Sequence, residues 1–441
     1  MGLNPEFRRN IWREMTLHRL IVAPLALAAI FVLVYVADKH RTDGVAYMAL
    51  TGIGLLGALW GGRLASDSVL SEIHNKTWDS QRMSALSPWT LTWGKLFGST
   101  LFVWYCAVFC AAAYGMAMLT GDFSKIKEPE MLLALVLVSS FLAQAVALFS
   151  SLVSVRKGGS FMLAQEKTAY TLLGALTAFA VISFGYADVN WKMHWYSYEL
   201  RVIEFTFISA VIFSAWAVIG SYRVMAEELQ VKNTFFVWFI FNLFIVVYVF
   251  GIAVGAMPLL EQDIITKSFI AAFAVLGVIF YAALFSERKN PVAFRSMGKA
   301  LKAVDLDGLF TLVPCWMVTF CLIAALVIVH SVVMGGEKAF LFFSGLFFAL
   351  RDTFIVLYLN FSKNPKRADA AAVVYLLLIA FVLPLILYTA GIEEARAFFW
   401  AADSPYALAA GVLEAAAAFV LLKVRWRKNY GSVAAPIEQE G

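Results

Sequence analysis

The chain has 441 residues, 61% of them hydrophobic and only 15% charged, with 35 Lys and Arg against 30 Asp and Glu. Soluble domains run nearer half apolar and a quarter charged, so the composition excludes an ordinary soluble protein and points to a polytopic membrane protein. The net charge of +5 is read by its place along the chain and not as a nucleic-acid footprint.

The first element is amphipathic. Asn4 and Pro5 form a helix start, and Phe7, Ile11 and Met15 then recur every four residues with Arg8, Arg9 and Arg13 off that stripe. Residues 1–18 are therefore expected to form a helix lying on the membrane surface. The basic N-terminus leads into Leu20 to Ala37, about 18 residues, with no small-residue cleavage site after it. This reads as an uncleaved first span and not as a signal peptide.

Eleven more apolar runs are long enough to cross a bilayer. In the first half they are Val45 to Gly62, Leu96 to Leu119, Met131 to Val155, Thr168 to Tyr186 and Glu204 to Tyr222. In the second they are Thr234 to Met257, Ile265 to Phe285, Leu309 to Met334, Phe340 to Phe361, Ala370 to Ala390 and Ser404 to Val424. Helices satisfy their own backbone groups in lipid, so the expected fold is all-α with about twelve transmembrane helices. The termini and the even-to-odd loops carry 25 Lys and Arg, and the opposite loops carry 8. That asymmetry places both termini in the cytoplasm.

Between spans two and three lies "SEIHNKTWDSQRMSALSPWTLTWGK", Ser71 to Lys95. Glu72 to Leu86 has the length of about four helical turns, ending before Ser87-Pro88 because proline disfavours helix in the preceding residue. Glu72 would sit at the positive end of that helix and Arg82 near the negative end. Trp89 and Trp93 are expected at the interface, with Lys95 at the inner boundary of the third span. A short polar helix held there suits docking to a soluble partner; the plainer reading is a solvated loop.

At an offset of 215, Ser71, Glu72, Asn75, Ala85 and Leu86 match Ser286, Glu287, Asn290, Ala300 and Leu301. Both segments follow the second span of their half. The expected organisation is a six-span half over 19–225 with its polar segment at 63–95, a second half over 226–424 with its segment at 286–308, and a tail at 425–441. Both halves enter from the same side, as in a parallel repeat.

Ionisable groups at membrane depth are costly and each calls for a reason. Arg351 and Asp352 fall mid-span in the tenth run, Glu414 in the twelfth, and His330 near the outer end of the ninth. Adjacent residues point to different sides of a helix, so Arg351 and Asp352 are expected to need different surroundings. An Arg351–Glu414 pair is the most economical arrangement, either a register-fixing ion pair or part of a substrate path. Cys106, Cys110, Cys315 and Cys321 read as small packing residues, and no two of the five His stand at metal-ligand spacing, so neither a metal nor a cofactor is expected in this chain. Gly57 and Gly61 stand at close-packing spacing.

Glu72, Thr77, Leu86-Ser87-Pro88 and Gly94-Lys95 together resemble the coupling region of type-2 ABC exporter permeases, and the amphipathic start resembles that family's interfacial helix. The resemblance covers Met1 to about Tyr222. It departs from the family where Lys76 replaces the usual glycine before Thr77, and in carrying six further spans. It implies a permease subunit with no enzymatic activity of its own. Glu72, Lys76, Thr77, Trp78, Asp79 and Arg82 would couple to a cytoplasmic ATPase, in two copies, that holds ATP and magnesium. Glu287, Asn290 and Arg295 would be the second-half counterparts. It also implies a bacterial inner membrane, a re-entrant helix pair before the last span of the half, and a homodimer if one chain forms only half the pore. The sequence carries no G-x-x-x-x-G-K-[ST]; Gly94-Lys95 and Gly298-Lys299 lack the earlier glycine. Other readings are a membrane enzyme acting on a lipid or isoprenoid, for which Asp305 and Asp307 are the nearest acidic motif, and an ion-coupled secondary transporter using Arg351, Asp352 and Glu414. Membrane lipids, and no nucleic acid, are the remaining expected contacts.

Overall fold

The computed structural model describes residues 4–84, 86–120, 128–157, 163–186, 191–255, 263–336, 338–362, 367–391 and 398–430. Twelve of its helices are long and apolar enough to cross a membrane, and the protein is an all-α multi-pass membrane protein. The chain divides into two compact units, Met1–Asn233 and Thr234–Gly441, each with six of those helices. The division falls at 233/234 and not at the expected 225/226. The last helix of the first unit runs on to Glu228, and Asn233 Nδ2 bonds back to the Arg223 carbonyl at 3.3 Å.

In unit 1, α1 (Pro5–Glu14) is capped by Asn4, whose side chain accepts from the N–H groups of Glu6 and Phe7. The first span, α2 (Leu17–Ala37), has no buried residue and is tied in by the Tyr105 hydroxyl, which donates to the Leu20 carbonyl at 2.8 Å. The second span is continuous from Asp43 to His74: α3 (Asp43–Gly54), a π-helical segment (Leu55–Gly61) and α4 (Gly62–His74). Then come α5 (Trp78–Arg82), α6 (Pro88–Thr120), α7 (Pro129–Lys157), α8 (Leu163–Tyr186) and α9 (Val202–Glu228).

The π-helical segment is held by α7. Ser140 and Gln144, one turn apart, face Gly57 and Gly61, where an added Cβ would overlap them. Gln144 Nε2 donates to Gly57 O of the widened turn at 3.0 Å, while Ser140 Oγ, bonded to Val136 O of its own helix at 2.8 Å, reaches Ile53 O just before that turn at 3.3 Å. Gln144 Oε1 accepts from Trp104 Nε1 at 3.1 Å, so this buried amide is paired at both ends. Cys106 and Cys110 are buried in the unit's interior.

Before α9 the chain forms an antiparallel hairpin, β1 (Lys192–Trp195) and β2 (Tyr198–Arg201), in place of the expected re-entrant helix pair. The cause is local: Lys-Met-His-Trp and Tyr-Glu-Leu-Arg alternate, so Met193 pairs with Leu200, both half-buried. Tyr196, at φ 51°, supplies the positive φ that a two-residue hairpin turn requires. Residues 187–190 of that outer connection, 392–397 of its counterpart, and 431–441 of the expected tail lie outside the described residues.

Unit 2 holds α10 (Phe236–Gly255), α11 (Asp263–Ser286), α12 (Pro291–Ala303), α13 (Leu306–Leu312), α14 (Cys315–Val333), α15 (Ala339–Asn360), α16 (Ala368–Leu377), α17 (Leu383–Thr389) and α18 (Pro405–Tyr430). A second π-helical segment, Leu378–Val382, joins α16 to α17. Helices α15 and α18 pack closely through Gly411, whose Cβ would sit 3.2 Å from Phe347 Cβ, with Ala407, Ala410 and Ala415 buried beside it. Asp305 caps α13 by accepting from the Gly308 N–H. Cys321 is exposed on the surface of α14.

Candidate functional site

The expected four-turn helix over Glu72–Leu86 is absent. Glu72 belongs to the last turn of the second span, which ends at His74 with Asn75 as its cap; a reversal follows, and the next helical residues are Trp78–Arg82. The break is a helix-terminating motif. The Thr77 N–H donates to Glu72 O at 2.9 Å and the Lys76 N–H to Ile73 O at 3.0 Å, with Lys76 left-handed at φ 57°. Lys76 thus stands where the backbone favours glycine. Ala85, one of the repeat positions, lies outside the described residues.

Glu72 is the centre of a buried ionic node. Its carboxylate accepts from Lys95 Nζ, from Arg9 Nη2 at 2.8 Å and from Gln81 Nε2 at 2.6 Å. Lys95 is fully buried, donates also to Ser68 O at 3.0 Å, and stands 5.5 Å over the Trp78 ring. Glu6 lies 2.6 Å from Arg9 Nη2 and 3.8 Å from Lys95 Nζ. One node therefore joins α1, the foot of the second span, α5 and the first turns of α6. The approach of α1 depends on glycine: a Cβ at Gly94 would lie 2.5 Å from Glu6 Cβ, and one at Gly98 2.7 Å from Asn10 Nδ2. Asn10 Nδ2 also donates to Gly94 O at 3.2 Å.

This scaffold presents an exposed polar surface. His74, Asn75, Lys76, Thr77, Asp79, Ser80 and Arg82 are exposed, with Met83 82% exposed among them, whereas Trp78 is buried. Arg82 is steadied by Glu228 O at 3.0 Å and by Asp79 at 3.6 Å. Beside the node an open aromatic crevice of about 700 Å³ is lined by Asn4, Phe7, Trp93, Phe97, Leu101, Trp104 and Phe141. Trp93 stacks on Phe97 at 4.5 Å within it. Sequence reasoning singled out Glu72, Trp78 and Arg82 but missed Glu6, Arg9, Gln81 and Met83. The Arg9–Glu72 contact spans 63 residues and leaves no periodic trace, and its one available signal was an opposite charge on each partner.

In unit 2 the corresponding glutamate has a comparable place. Glu287, one residue past α11, accepts the Cys315 N–H on both carboxylate oxygens, at 3.0 and 3.1 Å. The offset of 215 thus pairs two glutamates that each tie the end of a unit's second span to the start of its third. Asn290 is spent on capping α12, and Arg295 donates to Tyr430 O. Helix α12 is docked on the unit itself, with Phe294 5.5 Å from Phe361.

The membrane-depth charges form a second cluster. Arg351 Nη1 donates to Glu414 Oε2 at 2.6 Å, the pair expected from the sequence. Contrary to expectation, Arg351 and Asp352 share an environment: Arg351 Nε donates to Asp352 Oδ1 at 2.8 Å, because the long guanidinium stem curls back over its neighbour. The Tyr281 hydroxyl donates to Asp352 Oδ2 at 2.6 Å, and Phe348 lies 4.8 Å under the guanidinium. His330 is buried apart from this cluster, between the rings of Phe269 and Phe342 at 5.0 and 4.2 Å.

No protein-family model matches the chain, and no curated protein or solved structure is significantly similar to it.

Proposed function

We propose that the chain is the membrane-spanning permease subunit of an ATP-driven exporter, with a separate ATPase docking on the surface from His74 to Met83. The observation that supports this reading best is the combination of an exposed polar patch with a buried ionic node beneath it. Exposed loops are ordinarily mobile. Here a push on α5 meets Gln81 and Trp78, and through Glu72 and Lys95 it reaches the second and third spans at once. Met83 offers an apolar knob in a polar surround, as interface anchors do. With this patch and both termini in the cytoplasm of a bacterial cell, ATP closure of the partner would move α5 and shift spans two and three between inward- and outward-open states. The aromatic crevice, apolar and open at its side, suits an amphiphilic substrate entering from the lipid.

The test is purification of the tagged full-length chain from native membranes, followed by photolabelling with an azido-ATP analogue. A labelled polypeptide is expected to accompany the wild type and to be depleted by Asp79→Arg and by Met83→Asp. Intact protein without any labelled companion would overturn the reading. The ion-coupled reading is favoured only by the Arg351 cluster, and it leaves the patch at His74–Met83 without a role.

A further inference from the structure

Arg351 on α15 stands between two carboxylates, and with both ionised the cluster carries one negative charge in excess. An unbalanced charge at membrane depth is expensive. Arginine does not give up its proton in proteins, so the balance must come from a cation bound at a carboxylate. The hydrogen bonds say which one. Asp352 has a donor on each oxygen, Arg351 Nε on Oδ1 and the Tyr281 hydroxyl on Oδ2. Glu414 has Arg351 Nη1 on Oε2, while no described residue donates to Oε1. The Glu414 side chain is also 33% exposed, against 5% for Arg351 and 11% for Asp352.

The geometry points to Glu414 as an exchangeable-proton site at membrane depth, with Arg351 and Asp352 as its fixed counter-charges. A proton on Oε1 makes the cluster neutral and leaves the Arg351 contact on Oε2 in place. Hard metal cations such as calcium or magnesium call for about six or more oxygen ligands, and this cluster has only one carboxylate oxygen without a donor. The titratable groups packed about Glu414 are Arg351 and Asp352 of α15 and, through Asp352, Tyr281 of α11. Protonation weakens the hold of α18 on Arg351, so occupancy of the site is linked to the α15–α18 contact at Gly411 and Phe347. The site lies wholly within unit 2 and does not rest on the exporter reading.

The probe is dicyclohexylcarbodiimide, which attacks protonated carboxyl groups in apolar surroundings. The full-length chain in lipid nanodiscs is treated across a pH series, and modified peptides are quantified by mass spectrometry. Glu414 is expected to be modified, at an extent that falls as pH rises, with Asp352 untouched. Asp352→Asn removes the excess charge, so modification of Glu414 at a given pH should drop at least tenfold. An unmodified Glu414 across the series overturns the assignment, as does an unchanged extent in folded Asp352→Asn. Suppression by sodium at constant pH would replace the proton with a metal cation. The wild-type series decides the matter without any variant having to fold.

Discussion

The N–H of Thr77 donates to the carbonyl of Glu72 at 2.9 Å, closing the second span across a left-handed Lys76. The same Glu72 whose backbone terminates the helix gathers Arg9, Gln81 and Lys95 on its side chain. Helix termination and the ionic node are thus one structural event.

A left-handed residue other than glycine costs about 1–2 kcal/mol, partly offset by the greater freedom of glycine in the unfolded chain. Lys76→Gly should therefore stabilise unit 1 by about 0.5–1 kcal/mol, seen as a higher midpoint in a thiol-reactive dye melting assay. A lower midpoint would show that the lysine side chain contributes more than its backbone costs.

Removing the buried cation leaves Glu72 and Glu6 without their most enclosed partner. Lys95→Met should cost about 3 kcal/mol, since breaking a buried pair strands a charge. Adding Glu72→Gln should restore part of that loss, because no carboxylate is then stranded at position 72 and Glu6 keeps Arg9. A double-mutant cycle on denaturant melts reads the coupling; strict additivity would mean that Glu72 and Lys95 do not interact.

At the π-helical segment, Gly57→Ala should destabilise by more than 2 kcal/mol, because the new methyl meets Ser140 Cβ across a helix pair with no room to part. Gly277→Ala on α11 is the control. Its Cβ meets nothing within 4 Å, and alanine there should gain up to about 1 kcal/mol of helix propensity. Equal effects at the two sites, by the same melting assay, would remove the close-packing account.

The hairpin carries a pH dependence of known sign. The Lys192 ammonium, hydrogen-bonded to Glu199, holds that carboxyl below the usual carboxylate range. A depressed folded-state pKa stabilises above the unfolded pKa and ceases to do so as pH falls through the folded value. Amide exchange over Lys192–Arg201, corrected for intrinsic rates, should therefore show less protection in acid, and Lys192→Met should flatten that dependence. Protection that rises in acid in the wild type would contradict the pairing.

Much of the architecture was legible, for reasons that also explain the misses. Apolar runs announce spans because lipid leaves helices no alternative. The Arg351–Glu414 pair was readable because charges at that depth must find one another. The break after Asn75 was hidden because its left-handed residue is lysine, and nothing in the side chain betrays the backbone. The hairpin was overlooked although Lys192 to Arg201 alternates visibly, since expectation there came from the resemblance and not from those residues. Arg351 bonding its own neighbour was missed because helix-face geometry treats side chains as rigid spokes, and a guanidinium is not one.

The seven π-wound residues, Leu55–Gly61, have a rotational consequence for everything below them. An α-helix advances about 100° per residue, so a surplus residue in uniform winding would turn everything below it; the wider π turn takes that residue up instead. It thereby keeps the azimuth from which Glu72 meets Lys95. Deleting one residue within that stretch would restore uniform winding and leave the carboxylate at the foot of the span facing its ammonium, whereas deleting one residue within α4 would swing it away.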